Sequence, residues 1–248
     1  MTINERQQEE RSEIAQEDVA KSLWRKYRRT AEYKSGRHFS ISSIHPLVRE
    51  AEEHGLNDVI LQFARELERP VDIRMALSMR KETDWIDDWK RMHGVLFRYV
   101  YRQCGELRPL GHDVRFGDPG DEDLHHIPRG GAEVYNELYG LARTLHDQTE
   151  FVNTSNIDEV CRYLAHFHYG FIRIHPFFDG NGRIARVVTD QLSVALGFIP
   201  IIAGFPRNNA EKKRIYHAAI RASATDHSHS ELTAWIKQQL LDKLAEIA

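Results

Sequence analysis

With 248 residues, 41% of them hydrophobic, the chain can bury a proper core and suits one large domain or one domain with an appendage. A net charge of −3 at pH 7 gives no general attraction to nucleic acid or to an anionic membrane surface. Neither a signal-peptide-like run nor a stretch of about 18 apolar residues appears, and Cys104 and Cys161 suit neither a zinc pattern nor a disulfide framework, so a cytoplasmic protein is expected.

In chain order, residues 5–33 are highly charged. Glu9, Glu10, Glu13 and Glu17 come first and Arg25, Lys26, Arg28 and Arg29 last, an order that complements a helix dipole and reads as a solvated helix. Residues 36–46 are polar and irregular. Helical spacing returns over 47–67, with Val48, Ala51, Leu61 and Phe63 as its apolar positions. Residues 1–80 are therefore expected to form a helical extension packed on a main domain of residues 81–248. Trp85 and Trp89, four apart, present large apolar areas to anchor the start of that domain. Two short extended pieces follow, Asp113 to Phe116 and Leu124 to Pro128, around a turn containing Gly117, Pro119 and Gly120, which predicts a β-hairpin. His125 and His126 beside that turn read as polar surface.

Helical stripes dominate the rest. Val134, Leu138, Leu141, Ala142 and Leu145 form one; Val160, Leu164 and Phe167 form another, after the capping candidates Ser155 and Asn156. Ile184, Val187, Val188, Leu192, Ala195 and Leu196 form a third, stopped by Gly197. Past the break at Pro206 to Asn209, residues 212–223 carry Tyr216, Ala219 and Ile220. Residues 233–247 carry Trp235, Ile236, Leu240 and Leu244 inward.

Between the second and third stripes lies the densest chemistry of the chain, His175-Pro176-Phe177-Phe178-Asp179-Gly180-Asn181-Gly182-Arg183-Ile184-Ala185-Arg186. Gly180 and Gly182 let backbone N–H groups approach an anion, and a helix beginning at about Asn181 to Arg183 adds its own unpaired N–H groups and positive dipole end. Arg183 and Arg186 lie three apart and can grip separate phosphate oxygens. Asp179 would repel a bare phosphate, so its presence makes sense chiefly with Mg²⁺ between carboxylate and phosphate. His175 has the pKa suited to proton transfer near neutral pH. Singly, Gly-Asn-Gly is an ordinary turn, a lone His is structural and two arginines are solvated; together, in this order, they favour a phosphate site with its own base.

This string resembles the signature of the Fic family, His-Pro-Phe-x-Asp/Glu-Gly-Asn-Gly-Arg-x-x-Arg, at every defining position. The resemblance extends over roughly residues 85–240. It includes Met92 to Phe97 as a first core helix, Gly105-Glu106-Leu107-Arg108 after it, and Tyr169 to Ile174 leading into His175. It implies a mainly α fold: a Fic-type helical bundle with a short β-hairpin flap beside the active site, here with a helical N-terminal extension. The implied activity is protein adenylyltransfer, moving AMP from ATP to a Ser, Thr or Tyr hydroxyl of a target protein. By the same resemblance His175 is the general base and Asp179 holds Mg²⁺. Phe177, Gly180, Asn181, Gly182 and Arg183 serve the nucleotide and its phosphates, and Arg186 grips the terminal phosphate. The flap residues Val114, Arg115, His126 and Ile127 would pair with an extended target segment.

Many Fic proteins carry an inhibitory Ser/Thr-x-x-x-Glu-Gly/Asn helix; the nearest string here runs from Ser78 to Thr83, which makes Glu82 the inhibitory candidate. Control by a separate antitoxin or by self-association is the alternative to it. Other readings stay open: another donor or the reverse reaction at the same site (UMP, phosphocholine, removal of AMP), a non-catalytic protein-binding module, or a metal-dependent hydrolase built from His166, His168, His175 and Asp179.

Overall fold

The structure is a computed structural model and describes residues 81–97, 103–111, 130–149, 151–201 and 210–247. The expected hairpin with Val114, Arg115, His126 and Ile127, and the expected extension over 1–80, lie outside the described residues. Regular structure among the described residues is six helices with no strand: α1 (Glu82–Phe97), α2 (Ala132–Thr149), α3 (Ile157–Ile174), α4 (Asn181–Ala195), α5 (Ala210–Ala222) and α6 (Ser230–Ile247). In their described parts they divide into two compact units, one of residues 88–106 and one of 81–87 with 107–248, and α1 runs from one into the other.

Helix α1 starts with half of a capping box, the Asp84 carboxylate accepting from the Lys81 N–H at 3.1 Å. Trp85, Ile86, Trp89, His93, Leu96 and Phe97 are its buried side chains, a helical stripe. In the smaller unit, the His93 Nδ1 accepts from the Gly105 N–H at 2.8 Å, and the His93 ring stands 4.7 Å from that of Phe97.

The core of the larger unit is organised around α3, on which α2, α4 and α6 all pack, with α5 against α6. Asn156 caps α3 by accepting from the N–H groups of Asp158 and Glu159 at 3.1 and 3.3 Å. Ser155, the other capping candidate, instead gives its N–H to Asn153. Burial on α3 extends well beyond the predicted stripe, taking in Cys161, Tyr163, Ala165, His168, Tyr169, Phe171, Ile172 and Ile174. A helix buried on nearly all sides needs apolar residues on nearly all sides, and each buried Leu or Phe contributes about 1.5–3 kcal/mol. The predicted stripe of α2 is buried as expected.

Helix α4 ends where the sequence places its stop. Gly197 takes φ 87°, its N–H bonds the Val194 carbonyl at 2.9 Å, and the Phe198 N–H reaches Ser193 at 3.0 Å, the paired bonds of a Schellman motif. Helix α6 begins three residues before the expected Thr233, because Asp226 gathers the N–H groups of Ser228 and Ser230 at 3.0 and 2.8 Å and organises its first turn. Leu232, Trp235, Ile236 and Leu240 are buried there, and Leu244 is half-buried.

Candidate active site

The chain leaves α3 at His175, which caps the helix in the left-handed conformation (φ 50°, ψ 58°) and sends its N–H to the Phe171 carbonyl at 3.1 Å. Left-handed backbone costs a non-glycine residue on the order of 1 kcal/mol, so its surroundings must hold it. Arg108 does so. Its side chain is fully buried; Nε donates to the His175 carbonyl at 2.6 Å and Nη2 to the Ile174 carbonyl at 3.2 Å, while its backbone N–H bonds the Pro176 carbonyl at 2.9 Å. These carbonyls end a helix, where a cation is favoured. The Arg108 carbonyl in turn accepts from Gly131 at 3.0 Å, just before α2.

The imidazole of His175 lies 3.2 Å from the Ile172 carbonyl through Nδ1. A carbonyl only accepts, so Nδ1 carries the proton and Nε2 the lone pair. Burial pushes the His175 pKa down to about 4; Arg108 lowers it further, while the Ile172 carbonyl and Asp179 act in the opposite direction. Near pH 7 the ring is neutral and Nε2 is able to take a proton.

The turn from Phe177 to Asn181 is closed by a reciprocal pair. The Phe177 N–H donates to Asn181 Oδ1 at 2.8 Å, and Asn181 Nδ2 donates to the Phe177 carbonyl at 2.9 Å. Phe177 is fully buried, its ring 6.4 Å from Phe171, so it anchors the turn to α3. Because the Asn181 carboxamide closes the turn, what Asn181 offers an anion is its backbone N–H. Gly180 takes φ 76° as the residue preceding α4, a conformation that suits glycine, and its carbonyl accepts from Arg183 and Ile184 at 3.0 Å each. The N–H groups of Asn181 and Gly182 have no intrahelical acceptor and sit at the positive end of α4. Asp179 is buried beside them, accepting from the Gly180 N–H at 2.5 Å.

Arg186 lies one turn into α4, its guanidinium next to Gly182, where a Cβ would stand 3.5 Å from Nη1. The Tyr216 hydroxyl of α5 lies within its influence: burial raises the Tyr216 pKa, and Arg186 opposes that rise. His168 of α3 is fully buried, with Nε2 2.7 Å from that same hydroxyl and Nδ1 2.8 Å from the Thr189 hydroxyl of α4. Both ring nitrogens are engaged and His166 is exposed on another face, so the hydrolase arrangement of His166, His168, His175 and Asp179 is not assembled. Among the described residues no group of three or more His, Cys, Asp or Glu side chains is placed to hold a metal ion. Glu82 is half-buried at the first position of α1, and no ion pair joins it to Arg186 among the described residues.

The string from His175 to Arg186 is thus one continuous unit: helix end, left-handed histidine, stapled turn, helix start. Residues 83–193 match the family model described as the Fic/DOC family. Over those residues this chain is similar to the Fic/DOC family. Its curated relatives include the protein adenylyltransferase Fic of Drosophila persimilis, 30% identical over 92 residues, and that of Drosophila melanogaster, 32% identical over 92 residues. The matched stretch is 37% of this chain and only 16% and 17% of those proteins. Among solved structures, Caenorhabditis elegans Fic-1 superposes with a TM-score of 0.56 at 19% identity, covering 88% of this chain and 56% of that one. The N-terminal FIC domain of Bep8 from Bartonella sp. 1-1C gives 0.58 at 15% identity, covering 81% and 88%. The helical core described above is therefore a Fic fold.

In the sequence the signature stands out, whereas Arg108 is only a landmark, Tyr216 only an apolar-face position and Thr189 carries no mark. The Gly-x-x-Arg spacing was the available signal for Arg108. No local pattern marks Tyr216 or Thr189, which reach the site through packing.

Proposed function

We propose that this Fic domain is a protein adenylyltransferase that moves AMP from ATP to a hydroxyl side chain of a target protein. The observation that carries the reading is the approach of His175 Nδ1 to the Ile172 carbonyl at 3.2 Å, which assigns the ring proton to Nδ1. With Nδ1 committed to the Ile172 carbonyl, Nε2 is left as the base, on a residue that directly precedes the turn into the anion-receptive start of α4. His175 takes the proton of the target hydroxyl, whose oxygen attacks the α-phosphorus in line; the bond from that phosphorus to the bridging oxygen breaks, and pyrophosphate leaves. The N–H groups of Asn181 and Gly182 receive phosphate oxygens, and Arg183 and Arg186 hold the polyphosphate tail. Asp179 alone fits Mg²⁺ that takes its other ligands from phosphates and water, since no all-protein cage stands among the described residues. Such an ion, when bound, offsets charge on the phosphates.

The match of a short stretch to protein adenylyltransferases of flies supports AMP transfer as the first reading. Transfer of another phosphate-linked group, or the reverse reaction, uses the same residues and is the second reading. The target protein, self-association and an antitoxin partner belong to the same proposal.

The test incubates the full chain with Mg²⁺, a cell lysate and ATP labelled at the α-phosphate. Label should enter protein with the wild type and fall to background with His175→Ala at an unchanged melting temperature. If ATP fails while CTP, UTP, GTP or CDP-choline serves as donor, the second reading replaces the first; wild-type and His175→Ala labelling at equal rates would remove the base assignment.

A further inference from the structure

Four side chains and one carbonyl connect the last residue of the signature to the interior of the bundle, and their hydrogen-bonding chemistry allows a single direction. Arg186 only donates, so toward that guanidinium the Tyr216 hydroxyl can present only its oxygen. The Tyr216 proton then lies toward His168 Nε2, 2.7 Å away. At the other end, the Thr189 hydroxyl donates to the Ala185 carbonyl at 2.7 Å, one turn back on α4, so the proton between Thr189 and His168 belongs to His168 Nδ1. The Ala185 carbonyl also faces the His168 ring, which favours a protonated nitrogen there. Each side chain in the series accepts from the one before and donates to the one after, an order in which successive bonds polarise one another.

We propose that Tyr216 and His168 are positioning residues that hold the Arg186 guanidinium in the orientation that grips the terminal phosphate, through the directed chain Arg186 to Tyr216 to His168 to Thr189 to the Ala185 carbonyl. The proposal rests on the adenylyltransferase reading for the role of Arg186 and adds to it residues on two helices outside the signature. Its strength lies in burial and in convergence. Tyr216 and Thr189 are 3% and 0% exposed, and Trp235 of α6 packs its ring 4.9 Å from that of Tyr216, so α3, α4, α5 and α6 all fix the phenol. The groups facing His168 are Thr189 and Arg186 from α4 and Tyr216 from α5. Burial and the Arg186 charge keep the ring neutral, which preserves the Nε2 acceptor the Tyr216 hydroxyl needs.

The test measures calorimetric binding, in Mg²⁺, of a non-hydrolysable ATP analogue and of AMP to the wild type and to Arg186→Ala, Tyr216→Phe and Thr189→Val. The Tyr216→Phe variant should bind the analogue about tenfold more weakly, the size of one hydrogen bond to a charged group, and AMP within about twofold of wild type. Thr189→Val should fall between it and wild type. Analogue binding unchanged in Arg186→Ala would sink the phosphate-clamp reading itself. Analogue binding weakened in Arg186→Ala but unchanged in Tyr216→Phe would overturn the relay alone, as would equal loss of AMP and analogue, which marks a merely structural role. Independently of any variant, ¹⁵N spectra of the wild type should give His168 as the neutral Nδ1–H tautomer at pH 7. An Nε2–H tautomer or a charged ring would overturn the proposal.

Discussion

At the scale of single residues, Arg108 and His175 form one device. The buried guanidinium satisfies the carbonyls of Ile174 and His175 at the end of α3, and that satisfaction is what a left-handed histidine requires at the point where the chain turns toward α4. Removing it strands two buried acceptors, each at a cost of about 1–3 kcal/mol. Arg108→Gln should therefore lower unfolding stability in urea by roughly 2–4 kcal/mol and reduce transfer by at least about a hundredfold, because a misplaced base loses the proximity term as well. Arg108→Lys keeps the charge without the fork and should recover part of the stability and little of the rate. Transfer at the wild-type rate in Arg108→Gln would contradict this account. Much of the candidate site is legible in sequence, since His175, Asp179, the glycines and both arginines are contiguous. Arg108 lies 67 positions from His175, so its grip on that backbone is a property of the fold; the Gly-x-x-Arg spacing marks the residue and not its partner.

At the scale of elements, stripes and stops were legible for the same reason: periodicity and turn chemistry are local. The stripe of α2 and the Gly197 stop of α4 stand where apolar spacing and a left-handed C-terminal glycine place them. The early start of α6 was missed because its organising acid, Asp226, precedes Ser230 by four residues and acts through a loop. The wider burial of α3 does not show in a stripe count in part because Tyr163, His168 and Tyr169 read as polar there, yet Tyr163 and His168 reach hydroxyl partners inside the bundle. Two substitutions test the element ends. Asn156→Ala removes the cap of α3 and should cost about 1 kcal/mol. Gly197→Ala puts a Cβ on a left-handed residue and should cost about 1–2 kcal/mol. Chemical denaturation checks both, and a change below about 0.3 kcal/mol in either would contradict the assigned geometry.

At the scale of the whole molecule, the larger unit buries neutral histidines around the candidate site, and this sets the pH response of the fold. His168 and His175 are held at about 3 and about 4, in both cases chiefly by burial, against an ordinary value near 6.5. The unfolded chain therefore binds more protons than the folded one between those limits, and stability rises with pH across that window. Their contribution is complete above about pH 6.5 and is lost as pH falls toward the folded values. The urea midpoint should drop between pH 7.5 and pH 5, and His168→Gln should flatten that slope. A midpoint that rises on acidification would contradict the assignment of neutral, buried rings. No helix among the described residues is long and apolar enough to cross a membrane. What unites the scales is a helix end, a turn and a helix start that bring the His175 imidazole and the first N–H groups of α4 into one continuous segment.

The central claim is that this place transfers the adenylyl group with His175 as base. The most direct measurement supplies ATP labelled distinguishably at the α- and γ-phosphates to wild type and to His175→Ala, and follows both labels into protein. The account predicts α-label on protein, γ-label released in pyrophosphate, and neither label on protein with His175→Ala; γ-label on protein, or transfer that survives His175→Ala, would contradict it.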